Sequence, residues 1–286
     1  MKHPLIAALL ATLPLAPALG ADWNDPQDPF QLFGNTYYVG VRGLSSVLIT
    51  SPAGHILIDG GSAKSPVQIV EHIARLGFRI GDVKYILNSH EHFDHAGGIA
   101  ELQRLSGATV LASAAGEQVL RTGLVSKNDP QYSSLPPTIA AVANTRVVKD
   151  GDIVTLGPLS VTAHATPGHA QGGVSWTWRS AEGGRTASMV YADSLNAISS
   201  APFRYSANNS YPQARAELEK SIATVAAFDC EILVSGHPEA SGLWTRLAQQ
   251  ATMGNTAFIE RNACRDYANA ARDKLASKLA SEAAQQ

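Results

Sequence analysis

The sequence predicts an α/β protein, a four-layer αββα sandwich with two sheets packed between layers of helix. Three observations predict it. Short β-rich runs and amphipathic helical stretches follow one another in the order sheet-rich, helical, sheet-rich, helical. No linker-like stretch divides these blocks, so one shared core fits better than separate domains. The chain has 286 residues, enough for a well-buried core.

Taken in order, the strands begin with NTYYVGV from Asn35, SVLIT from Ser46 and HILIDG from His55. A helix follows, with Ser65 and Gln68 in a capping-box pattern and Pro66 in its first turn. Val67, Val70 and Ile73 would share its apolar face, and Gly77 would end it. The strand VKYILN (83–88) leads into NSHEHFDHAGG (88–98), and a helix over 99–105, the strand TVLA from Thr109 and a helix near 116–121 come next. Residues 124–144 contain NDPQYSSLPP and no sustained period. They read as a long surface loop of the kind that often carries function, with Tyr132 a candidate wall of a cleft. Strands resume with TRVV, DIVTL and LSVTAHA, turning at Asp150-Gly151, and continue through VSWTW and ASMVYAD, where Trp176 and Trp178 read as core. Ser210 and Gln213 repeat the capping-box pattern before a helix over 212–228; then EILVS is a strand, and the chain from Ser241 is largely helical.

Composition narrows the function classes. Hydrophobic residues make up 45% and charged residues 16%, which argues against disorder, and a net charge of −2 without basic runs argues against nucleic acid as partner. The N-terminal MKHPLIAALLATLPLAPALGAD has a basic start, an apolar run and small residues before a cut after Gly20. With Pro14 and Pro17, and shorter than the roughly 20 residues a span needs, it reads as a secretory signal over 1–20 rather than an anchor. The mature chain, 21–286, is then expected to be one domain, exported to a periplasm, acting as a monomer without a membrane segment. Asn208-Asn209-Ser210 matches a glycosylation acceptor, discounted because the signal looks bacterial. In an oxidising compartment Cys230 and Cys264 would form a disulfide, tying the last helix to the strand after Cys230.

The chemistry concentrates in residues 88–98. In an extended segment His90, His92 and Asp94 point the same way because side chains alternate, whereas His95 faces elsewhere. A cluster that splits like this suits two adjacent metal ions better than one. Asp94 could instead simply cap the following helix, but four such groups between a strand and a helix favour metal. His169 in HATPGHAQGG and His237 in ILVSGHPE each follow a strand beside a glycine, which permits close backbone approach. His3 lies in the signal, and His55, His72 and His164 lie within strand and helix bodies.

H-x-H-x-D-H, together with Asp59-Gly60, Gly168-His169, Ala192-Asp193-Ser194 and Gly236-His237, resembles the metallo-β-lactamase superfamily over nearly all of the mature chain. Within it the sequence is most similar to the subclass B3 metallo-β-lactamases. There a histidine follows the motif aspartate, as His95 does, and serine stands where another subclass has a zinc-binding cysteine; YADSLNAIS and the two late cysteines also fit. The resemblance implies two zinc ions per chain, one on His90, His92 and His169, the other on Asp94, His95 and His237. It implies a hydrolase opening the β-lactam ring of penicillins, cephalosporins or carbapenems with a zinc-bound hydroxide and no covalent acyl-enzyme. Asp94 would orient the hydroxide, while Ser194 and Asn196 would bind the substrate carboxylate. Asn196 departs from the serine that many relatives carry. Asp59 would either orient a ligating imidazole or serve a turn.

Rival hydrolases share this core: lactonases, thioester hydrolases and phosphodiesterases. In many of them an aspartate after a strand bridges both metals, and Asp193 occupies a similar stretch; Ser194 and its context favour a non-bridging Asp193. The export signal counts against an intracellular thioester substrate, and His92 counts against the H-x-E-x-D-H core of flavo-diiron electron carriers. An exported zinc-binding protein without turnover is the non-enzymatic alternative.

Overall fold

A computed structural model describes residues 22–285; the expected signal, 1–20, lies outside the described residues. The first sheet holds seven strands in sequential order: β1 (Phe30–Phe33), β2 (Thr36–Tyr38), β3 (Val47–Ile49), β4 (His55–Ile58), β5 (Val83–Leu87), β6 (Thr109–Ala112) and β7 (Thr145–Val147). Its first four strands pair antiparallel and its last four parallel. Parallel neighbours need crossovers. Helices α1 (Pro66–Arg75), α2 (Phe93–Ala96) with α3 (Ile99–Ser106), and α4 (Ala114–Thr122) supply them in turn.

The second sheet runs β12-β11-β10-β9-β8, from β8 (Ile153–Leu156), β9 (Leu159–Ala165), β10 (Val174–Glu182), β11 (Arg185–Ala192) and β12 (Ile232–Ser235). Only β11 and β12 pair parallel, joined through α5 (Ala214–Ala226). Short helices α6 (Leu243–Leu247) and α7 (Gln250–Met253) precede the long α8 (Ala263–Ala283).

Three apolar layers hold the sandwich together. Ile56 and Ile58 of β4 face the second sheet's Val161, Trp176, Trp178 and Met189, while Leu57 between them faces Ile69, Ile73 and Leu102 of the outer helices. Because β4 is covered on both faces, it reads as a continuous apolar run rather than an alternating one. Beyond the second sheet, Val190 and Leu233 pack against Leu218 and Ile222 of α5 and Leu275 of α8. Trp176 and Trp178 are core, as expected, and each donates its indole N–H, to the Asn88 carbonyl (3.2 Å) and to Thr36 Oγ1 (3.1 Å).

Several local expectations are corrected. β1 is an additional strand, pairing with β2 across a turn in which Gly34 adopts φ 54°. Neither capping box forms. Ser65 Oγ donates to Asn24 Oδ1 (2.7 Å) and Gln68 Nε2 to the Asn24 carbonyl (2.8 Å), so tertiary partners claim both side chains. α5 begins at Ala214 rather than at 212, with Gln213 rather than Ser210 at its cap position. Val67 is 77% exposed because the buried stripe of α1 runs through Pro66, Ile69 and Ile73.

Cys230 and Cys264 are bonded, joining the entry to β12 with the first turn of α8, as expected. The bridge closes a loop with a sequence separation of 34. Replacing both cysteines by serine should lower unfolding free energy by roughly 3–4 kcal/mol in the chain-entropy model, read from the shift in denaturant midpoint against wild type.

Candidate metal centre

The site sits where strands of both sheets end, the usual place for ligands in α/β architectures. β5 delivers residues 88–92. His92 is still extended (φ −68°, ψ 149°) and caps α2, so Asp94 and His95 lie within a helical turn. This corrects the expectation of an extended run through Asp94. The helical turn still splits the pair, since successive residues in a helix diverge by about 100°. Gly98 lets the turn press against β4, because a Cβ there would strike the Gly60 carbonyl. His95 returns the contact by accepting from Gly60 N–H at its own carbonyl (3.0 Å).

The six expected side chains converge. Ring centroids separate His90 from His92 by 4.6 Å, His90 from His169 by 5.0 Å and His92 from His169 by 4.9 Å. His95 lies 4.3 Å from His90 and 5.0 Å from His237. Asp94 Oδ2 stands 3.3 Å from both His95 Nε2 and His237 Nε2. Two groups have ligand-capable atoms all within 4.8 Å of one another: His90, His92 and His169, and His90, Asp94 and His95.

What these side chains do with their other atoms tests the fit to metal. His90 Nδ1 donates to Asp193 Oδ1 and His92 Nε2 to Asp129 Oδ2, each at 2.8 Å. His169 Nδ1 donates to the Asn196 carbonyl (2.8 Å) and His237 Nδ1 to the Gly43 carbonyl (3.2 Å). That leaves one lone-pair nitrogen per ring. His90 Nε2 and both His95 nitrogens are buried without a hydrogen-bond partner. Buried orphans are costly unless something absent from the protein alone satisfies them. Imidazole nitrogens and a carboxylate are donors that suit Zn²⁺. The residues fit.

A metallo-β-lactamase superfamily model matches residues 39–237. The chain belongs to the metallo-β-lactamase superfamily. MEM-A1, a subclass B3 metallo-β-lactamase isolated from a soil metagenome library, is 67% identical, with a TM-score of 0.92 covering 93% of this chain and 100% of that one. Metallo-β-lactamase SMB-1 bound to 2-mercaptoethanesulfonate is 48% identical, with a TM-score of 0.88 covering 92% of this chain and 100% of that one. Among curated relatives, the N-acyl homoserine lactonase AttM of Agrobacterium fabrum (strain C58) is 29% identical over 170 residues. That match covers 46% of this chain and 58% of the lactonase, so the chain spans under two thirds of that relative's length.

Around this metallo-β-lactamase centre the remaining candidates fall into place. Asp193 sits behind His90, outside both metal-competent groups. Asp59 is fully buried at φ 58° and accepts from Ser89 N–H (2.7 Å), Ser89 Oγ (2.6 Å) and Tyr191 Oη (2.8 Å). It also lies 3.6 Å from His95 Nδ1, so it serves turn and imidazole together. Ser194 is buried beside Asp193. Asn196 gives its carbonyl to His169, and its Oδ1 accepts from Lys274 Nζ (3.3 Å), leaving its amide N–H to donate. His164 bonds Thr177 Oγ1 (2.8 Å) and His72 the Val39 carbonyl (2.9 Å), while His55 packs on Phe78, all apart from the centre.

Two contributors escaped sequence reasoning. Asp129 comes from the long loop, and nothing in NDPQY marks it as a partner of His92. Glu91, inside the motif, is buried and accepts from Gly172 N–H (3.1 Å), while Ser113 Oγ donates to the Gly172 carbonyl (2.9 Å). Both backbone polar groups of Gly172, three residues beyond His169, are thus pinned. Gly172 leaves no room for a Cβ beside Glu91 Oε2.

Electrostatics divide the cluster. Burial, then the charge of neighbouring histidines, pulls His169 down to about 3 and His90 well below the usual range. Burial also opposes charge on His92 and His95, but Asp129 lifts His92, while Asp94 and then Asp59 push His95 up to about 10. Burial works against ionised Asp94, yet His95 and His237 hold it well below the carboxylate range. Burial raises Asp193 and Glu91.

The metal-stripped protein should accordingly be most stable near the ordinary histidine value of about 6.5. Below it, the unfolded chain takes up protons that native His90 and His169 refuse. Above it, native His92 and His95 hold protons that the unfolded chain releases, and that stabilisation fades as pH approaches about 10. Denaturant midpoints of chelator-treated protein across this range measure the peak; a midpoint rising steadily with pH would contradict it. Asp129→Ala should weaken metal binding about 10–100-fold, measured by chelator competition.

Proposed function

We infer that the chain is a zinc-dependent β-lactam hydrolase of the subclass B3 kind. The observation that carries this is its likeness across the full length of a subclass B3 enzyme, with the six expected side chains gathered where strands of both sheets end. His90, His92 and His169 would hold one zinc, and Asp94, His95 and His237 a second. When bound, the pair would supply hydroxide at neutral pH and polarise the lactam carbonyl.

The chain's own residues do the rest. Against the cost of burial, the charge of His95 and His237 holds Asp94 well below the carboxylate range; its carboxylate, with Oδ2 3.3 Å from both rings, would take a hydrogen bond from the attacking water and aim it. Ser194 and the amide N–H of Asn196 would donate to the substrate carboxylate, Lys274 having claimed the Asn196 oxygen. Ser89 Oγ donates to Asp59, and His90 Nδ1 is given to Asp193, so this serine has no imidazole free to activate it as a nucleophile. With water as the attacking group, hydrolysis would need no covalent acyl-enzyme. The ligand is a small-molecule β-lactam, and the mature chain, 21–286, acts as a single exported domain, periplasmic and monomeric. The disulfide is compatible with export.

A lactonase is the second reading, because AttM shares part of the sequence. Asp193 speaks against it: in many such relatives the equivalent aspartate bridges both metals, whereas Asp193 backs His90. Purified protein should hydrolyse a chromogenic cephalosporin and a carbapenem, lose both activities to a chelator and regain them with zinc. Preference for a homoserine lactone would overturn the β-lactam assignment. His237→Ala should lose the second zinc and at least about 100-fold in turnover, since a ligand matters more than its outer support; unchanged zinc content and rate would contradict its role.

A further inference from the structure

A carboxylate in the last turn of a helix meets the negative end of the dipole, and glutamate seldom goes inside without a partner. Glu282 does both: it lies one residue before the end of α8 and is 3% exposed. Its bonds explain the placement. Oε1 accepts from Tyr205 N–H (3.0 Å) and Oε2 from Ser206 N–H (2.7 Å), with Lys278 Nζ 3.5 Å from Oε1. Arg204 Nη2 donates to the Glu282 carbonyl (2.7 Å), taking up one of the acceptors that a helix end leaves open. The end of α8 thus grips three successive residues, 204–206, while the disulfide at Cys264 fixes its start.

Held this way, Tyr205 reaches the metal centre from behind. It is buried, Phe203 packs edge-on against its ring with centroids 5.4 Å apart, and its hydroxyl donates to the Gly168 carbonyl (2.9 Å). That carbonyl belongs to the peptide joining Gly168 to His169. The peptide is planar, so the direction of its carbonyl sets the plane from which His169 departs. Gly168 does little to fix that plane itself. Its φ is 124°, a conformation left to glycine, and a Cβ there would strike the backbone of Leu218 in α5. On one side Ser221 Oγ donates to the Pro167 carbonyl (2.7 Å), and on the other His169 Nδ1 donates to the Asn196 carbonyl. Tyr205 supplies the tie between those two, on the peptide that carries the imidazole.

We propose that Tyr205, anchored by Glu282, is a positioning residue for His169: its hydroxyl sets the peptide plane and so the point where the imidazole presents its free nitrogen to the first zinc. This rests on the reading of His169 as a ligand. Tyr205 acts through the peptide alone, so its loss loosens the ligand without removing it.

The test takes the full mature protein with its disulfide intact, as wild type, Tyr205→Phe, Glu282→Gln, the double variant and His169→Ala. Zinc affinity by chelator competition, kcat and KM for a chromogenic cephalosporin at saturating zinc, and the denaturant midpoint are measured on each. Tyr205→Phe should weaken the zinc that His169→Ala loses by about three- to tenfold, the range of one hydrogen bond. Its kcat should fall by a similar factor with KM in place. Glu282→Gln leaves one acceptor oxygen for two N–H groups; it should weaken the same zinc and add nothing in the Tyr205→Phe background, because both act through one carbonyl. Unchanged zinc affinity and kcat in Tyr205→Phe, whatever its denaturant midpoint, would make the residue merely structural and overturn the proposal. So would additive losses in the double variant, which would put Glu282 outside the Tyr205 route. Full zinc content in His169→Ala would instead overturn the reading of His169 as a ligand.

Discussion

The centre depends on a property of imidazole: it has two nitrogens, and only one can face an ion. Four of the five clustered histidines hand the other nitrogen to an oxygen, from Asp193, Asp129, the Asn196 carbonyl or the Gly43 carbonyl. Each such bond sets the tautomer and the ring rotation at once. Those oxygens lie at the end of β11, in the long loop, in the segment after Asp193 and beside β3, so the ligand geometry is held by widely separated parts of the chain.

Asp59 joins the two sheets at this edge. Its left-handed backbone costs on the order of 1 kcal/mol for an aspartate, but it collects hydrogen bonds from Ser89 in the first sheet's motif and Tyr191 in the second sheet. Bonds to a charged group contribute roughly 1.5–3 kcal/mol each, so the strain is outweighed. The same carboxylate approaches His95, which makes the junction of the sheets and the support of a ligand one structure.

Without a cation the cluster is at odds with itself. Burial lowers the affinity of His90 and His169 for protons while carboxylates raise that of His92 and His95, within a few ångströms of one another. Local rules fail in this way at functional sites, where another component completes the balance. The rest of the molecule obeys them: three continuous apolar layers and a disulfide near the chain's end support the edge where the conflict is concentrated.

The sequence by itself determined the sandwich, the strand ends and the six converging side chains. Apolar periodicity encodes which face is buried, and closely spaced metal-competent residues beside glycine encode chemistry locally. Only the tertiary structure decided the rest. It turned Asp94 and His95 into a helical turn, diverted Ser65 and Gln68 from capping α1 to holding Asn24, and added β1 as an edge strand. It also chose Asp129, Glu91 and Trp23 as neighbours of the centre. Each of those outcomes depends on a partner brought close by folding, and spacing along a chain carries no record of which distant atom will accept a hydrogen bond or stack on a ring.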